Sequence, residues 1–286
     1  MNPTPPRSAP PESFGAMLEQ ALGAVVKISE RDDLRAVARA VSHAAWDRFI
    51  GSRGPRDNRQ EHEWVVLANV LRIAEAERLT LSEKRVAVAF TFTHDSHFIP
   101  RISEQEVREA RSPEAKDLLE TRKEAQRYEH MRFGAVNGRS LLSRLKDPRT
   151  DDGPLLTAEE IDRCVQIIST HDAWKLRNPA PPPTDDRLAL ACVEGDALWP
   201  LHPLGVLADL ERPNDQGRIK DFNDPQAWRV QTQQSCQTLV EFRAKWIGFP
   251  ATDFVDGESI FRTQEGGRLY SAWRRYWNLT DLERGA

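Results

Sequence analysis

Long apolar runs are the first thing this chain lacks. In 286 residues no stretch approaches the roughly 18 apolar residues that a bilayer-spanning helix needs. Paired cysteines are lacking too. Cys164, Cys192 and Cys236 lie far apart and are odd in number. They offer no CxxC pairs for a zinc ribbon, and they read as free thiols of a reducing compartment. No basic run occurs, and the formal net charge is −4, so nothing marks a general nucleic-acid binder. The Pro-rich start, Met1 to Glu12, has no apolar core of the kind a signal peptide carries. No alternating apolar-polar stretch suggests a strand, and no internal repeat is visible. The expectation is a cytoplasmic protein acting on a small molecule, away from membranes, with its oligomeric state open.

What remains reads as helix almost throughout. Residues 1–12 are expected to be a disordered tail. Phe14, Met17, Leu18, Leu22, Val25 and Val26 keep the three- and four-residue spacing of one helical face. Asp32-Asp33 opens a second helix, carrying Leu34, Val37, Val41, Ala45 and Phe49. A third runs from about Gln60 to Arg78, and Leu81-Ser82-Glu83 caps a fourth, from about Glu83 to His94. Pro113 to Leu145 predicts a long amphipathic helix. Thr157-Ala158-Glu159-Glu160 is a capping-box start for a helix running to about Trp174. Asp185 to Trp199 predicts another, stopped by Pro200. Beyond Pro213 the composition turns aromatic, with Trp228, Phe242, Trp246, Phe254, Phe261, Tyr270, Trp273 and Trp277. This divides the chain into a tail at 1–12, a helical core at 13–212, and a helical extension at 213–286 packed on that core. The fold class is all-α.

His94-Asp95 closes the apolar run Val86-Ala87-Val88-Ala89-Phe90-Thr91-Phe92-Thr93. A carboxylate in such surroundings is costly to bury unless it is paired or bound to a metal. The chain has seven histidines. On separate helices the order is His62, His94-Asp95, His130, His171, Asp196, and imidazole with carboxylate suits Fe, Mn, Zn or Ni. Helices with inward ligands converge on metals in bundle cores. Neighbours on a helix point about 100° apart, so His94 and Asp95 share a centre only at a helix end, where Asp95 is free to bridge to a second ion. His97 is a proton donor, a substrate contact or a turn residue. Arg101 and Lys175 are phosphate contacts or solvated cations. Asp172 is a helix cap or a partner of the site, and His43 and His202 read as structural.

In these segments the chain resembles the HD-domain metallohydrolase superfamily. The carrying pieces are Glu61-His62-Glu63-Trp64-Val65-Val66, the dyad run Ala89 to Asp95, Tyr128-Glu129-His130-Met131-Arg132-Phe133-Gly134-Ala135, Ile167-Ile168-Ser169-Thr170-His171-Asp172, and Glu194-Gly195-Asp196-Ala197-Leu198. They span Gln60 to Trp199, roughly half the chain. The resemblance implies a helical bundle of the HD type with additional C-terminal helices. It implies one divalent metal ion on His62, His94, Asp95 and Asp196, and a second on Asp95, His130 and His171. The dyad continues here as Ser96-His97-Phe98, where many members place a glycine followed by a lysine or histidine. The family's basic residue is therefore out of register, and His97 is the candidate to replace it.

The activity the resemblance implies is phosphoester hydrolysis, on a nucleotide or another phosphoester, by a metal-bridging hydroxide. His97, Arg101 or Lys175 would steady the phosphate or protonate the leaving oxygen. Two alternatives stand beside it. One is an HD-type di-iron oxygenase, similar to inositol oxygenase and the phosphonate-cleaving enzymes, which use the same four histidines and two aspartates on a small hydroxylated substrate. The other is a non-catalytic, metal-stabilised binding module.

Overall fold

A helix that is apolar on every side has to be wrapped by others, and the fourth helix of this chain is such an element. A computed structural model describes residues 13–25, 27–50, 61–97, 106, 109–150, 152–211, 223–246, 249–255 and 259–279. Among them are ten α-helices and no strand. They are α1 (Ser13–Leu22), α2 (Ile28–Ala45), α3 (Glu61–Ala76), α4 (Leu81–Thr93), α5 (Pro113–Leu142), α6 (Ala158–Ile168), α7 (Arg187–Ala197), α8 (Pro203–Leu210), α9 (Pro225–Ala244) and α10 (Gln264–Tyr276). The expected tail at 1–12 and Arg101 lie outside the described residues.

α4 is the axis of the bundle. Every residue from Val86 to Thr93 is buried, and α2, α3, α5, α6 and α7 all pack on it. Thr80 starts it with a capping box, in which its hydroxyl accepts from the Glu83 N–H and Glu83 accepts from the Thr80 N–H. The cap therefore precedes the expected Leu81-Ser82-Glu83 by one residue. Lys84 is buried inside this bundle, and its ammonium is clamped by Glu30 of α2 at 2.7 Å and Glu75 of α3 at 2.6 Å. That pairing explains why α2 begins at Ile28 rather than at Asp32-Asp33. Glu30 in its first turn is an internal ion-pair partner, and the helix has to reach it.

Other boundaries also shift for local reasons. α3 ends at Ala76 because Arg78 takes a left-handed conformation, φ 57°. α6 follows its capping box as expected, with Thr157 and Glu160 reciprocally bonded. It stops at Ile168 rather than near Trp174. A turn through Thr170, His171 and Asp172 intervenes before a short 3₁₀ segment, Ala173–Lys175. Ala173, Trp174 and Leu176 are buried beyond that break, so the apolar pattern runs on where the helix does not. Sequence spacing did not anticipate α8. It begins where the His202 ring accepts from the Leu204 N–H and Pro203 sits at its first position.

The aromatic C-terminal segment is part of the same core. Trp246, Phe254, Phe261, Leu269 and Tyr270 join the cluster that holds α3, α4 and α7. One buried carboxylate fastens it there. Glu194 of α7 accepts from the Arg262 N–H at 2.6 Å and from the Thr263 hydroxyl at 2.5 Å, at the start of α10. Two close helix approaches also depend on missing side chains. A Cβ at Gly195 would collide with Val70 of α3, whose backbone N lies 3.0 Å away, and one at Gly134 would meet the His94 carbonyl at 3.0 Å.

Candidate metal centre

Three helix ends meet where α4 stops. His94 is the C-cap of α4, His171 lies in the turn after α6, and Asp196 is in the last turn of α7. The C-terminal end of a helix carries partial negative charge and favours a cation. His62 comes from the first turn of α3 and His130 from the middle of α5. Five of the six positions named from sequence are thus presented by helix ends, where a ligand can reach sideways.

The six side chains converge. His62 Nε2 lies 3.0 Å from Asp196 Oδ1, and His62 Nδ1 lies 3.4 Å from Asp95 Oδ2. His94 Nε2 faces Asp196 Oδ1 at 3.5 Å and Asp95 Oδ1 at 3.6 Å. The same Asp95 Oδ1 is 3.2 Å from His130 Nε2 and 4.0 Å from His171 Nε2. Two groups of donor atoms result, His62, His94 and Asp95, and Asp95, His130 and His171. Asp95 belongs to both. Asp196 flanks the first through His62 and His94.

The ring nitrogens show what the centre is arranged to receive. His94 Nδ1 donates to the Thr91 carbonyl at 3.0 Å, His171 Nδ1 to the Ile168 carbonyl at 2.7 Å, and His130 Nδ1 to the His97 carbonyl at 2.7 Å. A carbonyl accepts only from N–H, so each bond places a proton on Nδ1 and turns Nε2 inward. His130 Nε2 and His171 Nε2 then stand 3.2 Å apart, an arrangement that needs a cation or a proton between them. His94 Nε2 is buried without a hydrogen-bond partner. Its nearest polar neighbours are the Asp196 and Asp95 oxygens at 3.5 and 3.6 Å, so this buried atom is set to carry a proton or a metal ion between them and the ring. The donor set therefore fits one or two divalent ions of the borderline kind that imidazole and carboxylate prefer.

Electrostatics reinforce this arrangement. Burial works to raise the Asp95 pKa, yet His94, His130 and His62 outweigh it and hold the carboxyl well below its ordinary value. Asp196 is held well below likewise, burial being overcome by His62 and His94. Burial pushes the His171 imidazole down to about 4, with His130 and His94 adding to the effect, so His171 is a neutral donor. His94 moves the other way, to about 9, because Asp95 and Asp196 overcome its burial.

The turn after the dyad is stitched to α5. Ser96 Oγ donates to the Gly134 carbonyl at 3.1 Å, and Asn137 Nδ2 donates to the Ser96 carbonyl at 3.1 Å. His97 serves the centre through its backbone, as the acceptor for His130, while its ring packs on Phe133 at 4.9 Å. Lys175 stands beside the centre and its ammonium lies 2.5 Å from Asp172 Oδ1. Asp172 is no helix cap, since its side chain makes no capping bond. It is a nearly buried acid whose burial is outweighed by Lys175, His171 and Arg127, leaving its pKa at about 2. His43 is exposed on α2.

Sequence reasoning missed two features. Arg127 pairs with Asp172 at 3.5 Å, and one charged residue on a long polar helix gives no signal. Trp199 places its ring 5.1 Å from that of His62 and leads through His202 to Trp273 of α10. The juxtaposition of Trp199 with its helix-stopping Pro200 hid it among the boundary residues.

No protein-family model, curated protein or solved structure matches the chain. The class of protein defined by fold and site is an all-α protein with a His/Asp cluster able to hold metal. That cluster is compatible with a site of the HD type.

Proposed function

We propose that the protein is a metal-dependent phosphohydrolase acting on a nucleotide or another small phosphoester, with two metal ions shared by Asp95. The observation that carries the reading is the placement of Asp95, with Oδ2 toward His62 and Oδ1 toward His94, His130 and His171. A carboxylate with histidines on both oxygens is suited to joining two cations. When bound, such ions supply Lewis-acid stabilisation of phosphoryl charge and activate water at neutral pH.

The chain's own residues supply the rest. The carbonyls of Thr91, Ile168 and His97 lock three imidazoles, so the donor atoms need no reorganisation. Phe90 stacks on His94 at 4.8 Å and Trp199 covers His62, which keeps bulk water from that side and strengthens charge interactions within. Lys175, paired with Asp172 next to His171 and acting on Asp196, adds a cation suited to neutralising a phosphoryl oxygen. Arg101 keeps the role of a phosphate contact by its place after the dyad.

A second reading is favoured by the ligand count. Four histidines with two aspartates also suit a di-iron oxygenase. One experiment separates the two, using protein purified with and without air, metal analysis, nitrophenyl phosphate turnover and oxygen uptake. The expected result is nitrophenol release that depends on Mn, Ni, Fe or Zn and is lost in His94→Ala with the helical CD spectrum retained. Two irons per chain with substrate-dependent oxygen uptake and no phosphoester turnover would overturn the proposal in favour of the oxygenase. Metal-dependent folding with no turnover of either kind would leave only a binding module.

A further inference from the structure

Arg127 stands one helical turn before His130 on α5, so the two share a face. Lys175 stands four residues after His171, on the 3₁₀ turn. Both meet Asp172, the residue after His171, and that carboxylate in turn feels His171 and His130, so two elements bring a guanidinium and an ammonium to the His130 and His171 side of the centre. Asp172 lies between them, with Oδ1 2.5 Å from Lys175 Nζ and Oδ2 3.5 Å from Arg127 Nη1.

One carboxylate between two cations leaves a net positive charge. Asp172 is itself nearly buried, whereas the Arg127 and Lys175 side chains are 32% and 21% exposed, so they are open to a ligand but not free in solvent. Aromatic faces hold both in place. Arg127 lies 5.8 Å from the Phe242 ring centre and Lys175 4.9 Å from that of Trp174, within the range of cation–π attraction. Among the described residues Asp172 is the one carboxylate within ion-pair distance of either cation, while Lys175 also acts through space on Asp196. The 3.5 Å contact uses only one edge of the Arg127 fork, and the guanidinium carries five N–H donors. A planar fork with unused donors, next to a point charge, is the combination that recognises phosphate oxygens.

We propose that Arg127 and Lys175, set by Asp172, form an anion clamp beside the His130 and His171 pair that takes the terminal phosphate dianion of the substrate. The substrate class is therefore a phosphomonoester or a nucleotide with a terminal phosphate, in preference to a phosphodiester with a single charge. This inference rests on the phosphohydrolase reading for its substrate, although the clamp itself is an anion site and is testable without turnover.

The probe is inorganic phosphate, titrated calorimetrically into the full chain reconstituted with manganese, alongside metal analysis and steady-state kinetics on nitrophenyl phosphate and bis-nitrophenyl phosphate. Arg127→Lys and Lys175→Met keep most of the side-chain volume and guard against misfolding. Each is expected to raise the phosphate dissociation constant about 10-fold, consistent with losing one charge-assisted contact, with metal content unchanged. Each should also raise KM for the monoester more than for the diester. Unchanged phosphate affinity in both variants, with metal retained, would overturn the clamp and leave Asp172 as a purely structural ion-pair partner. If phosphate binds through these residues but no phosphoester is cleaved, the clamp stands and the hydrolase reading falls. If hydrolysis proceeds with the same monoester preference in both variants, the clamp falls and the reading stands.

Discussion

At the scale of single residues, Asp95 does what no other ligand does, because both of its oxygens face histidines. Its removal and that of His130 should therefore differ. Asp95→Ala should lower bound manganese to well under one ion per chain, because both groups lose a member. His130→Ala should lower it by about one ion and spare the His62 and His94 side. Elemental analysis after gel filtration checks this, and equal losses in the two variants would contradict a shared carboxylate. Lys84 makes a second case, one of stability. It joins two carboxylates inside the bundle, and removing one member of a buried pair typically costs about 3–5 kcal/mol. Lys84→Met should destabilise by that order in urea unfolding. Lys84 holds Glu30 below its ordinary value of 4.5 in the fold, against the effect of burial. A folded pKa below the unfolded one gives stability that is present above about 4.5 and is lost as pH falls through the folded value. The wild type should therefore lose this increment on acidification below pH 4.5, and Lys84→Met should lack that part of the slope. The ligand-type residues were legible in sequence because the histidines fall one to a helix and the dyad interrupts an apolar run. The carbonyls of Thr91, Ile168 and His97 were not, since a backbone acceptor has no residue signature. Arg127 and Asp172 were hidden for a related reason, because a charged side chain on a polar helix reads as solvated until its partner is located.

At the scale of elements, capping chemistry was the readable part and helix ends without caps were not. Thr157 with Glu160 fixed the start of α6. Its end was overestimated because Ala173, Trp174 and Leu176 continue the buried pattern after the chain has turned. That turn is what places His171, so the misread boundary is a feature of the centre itself. Glycine was equally silent in sequence, since closeness of two helices needs the partner's position. Gly195 lies next to Asp196, and a Cβ there would press on Val70 and its backbone. Gly195→Ala should force α7 away from α3, costing about 1–3 kcal/mol by overpacking, and should weaken metal binding through Asp196. The checks are urea unfolding and a manganese titration. Full stability with unaltered manganese affinity would mean that the two helices slide apart without moving the ligand.

At the scale of the whole molecule, the centre ties together parts far apart in the chain, from His62 on α3 to Asp196 on α7, and α7 is in turn fastened to α10 through Glu194. Sequence could class the C-terminal aromatics as core but could not place them against α7, because Glu194 was only one acid among many. A ligand that binds the folded chain and not the unfolded one stabilises it by about 2.7 kcal/mol at 100 times its dissociation constant. For a chain of this size, a shift of roughly 2–4 °C per kcal/mol gives a rise of roughly 5–10 °C in Tm when manganese is added to chelator-stripped protein. The rise should be absent in His94→Ala and smaller in His130→Ala. Because Glu194 couples α7 to the C-terminal segment, it should also protect α10, so limited proteolysis with and without manganese should show slower cleavage after Arg274 or Arg275 when metal is present. A Tm indifferent to both chelator and manganese, measured at saturating metal, would mean that these six residues hold one another rather than an ion.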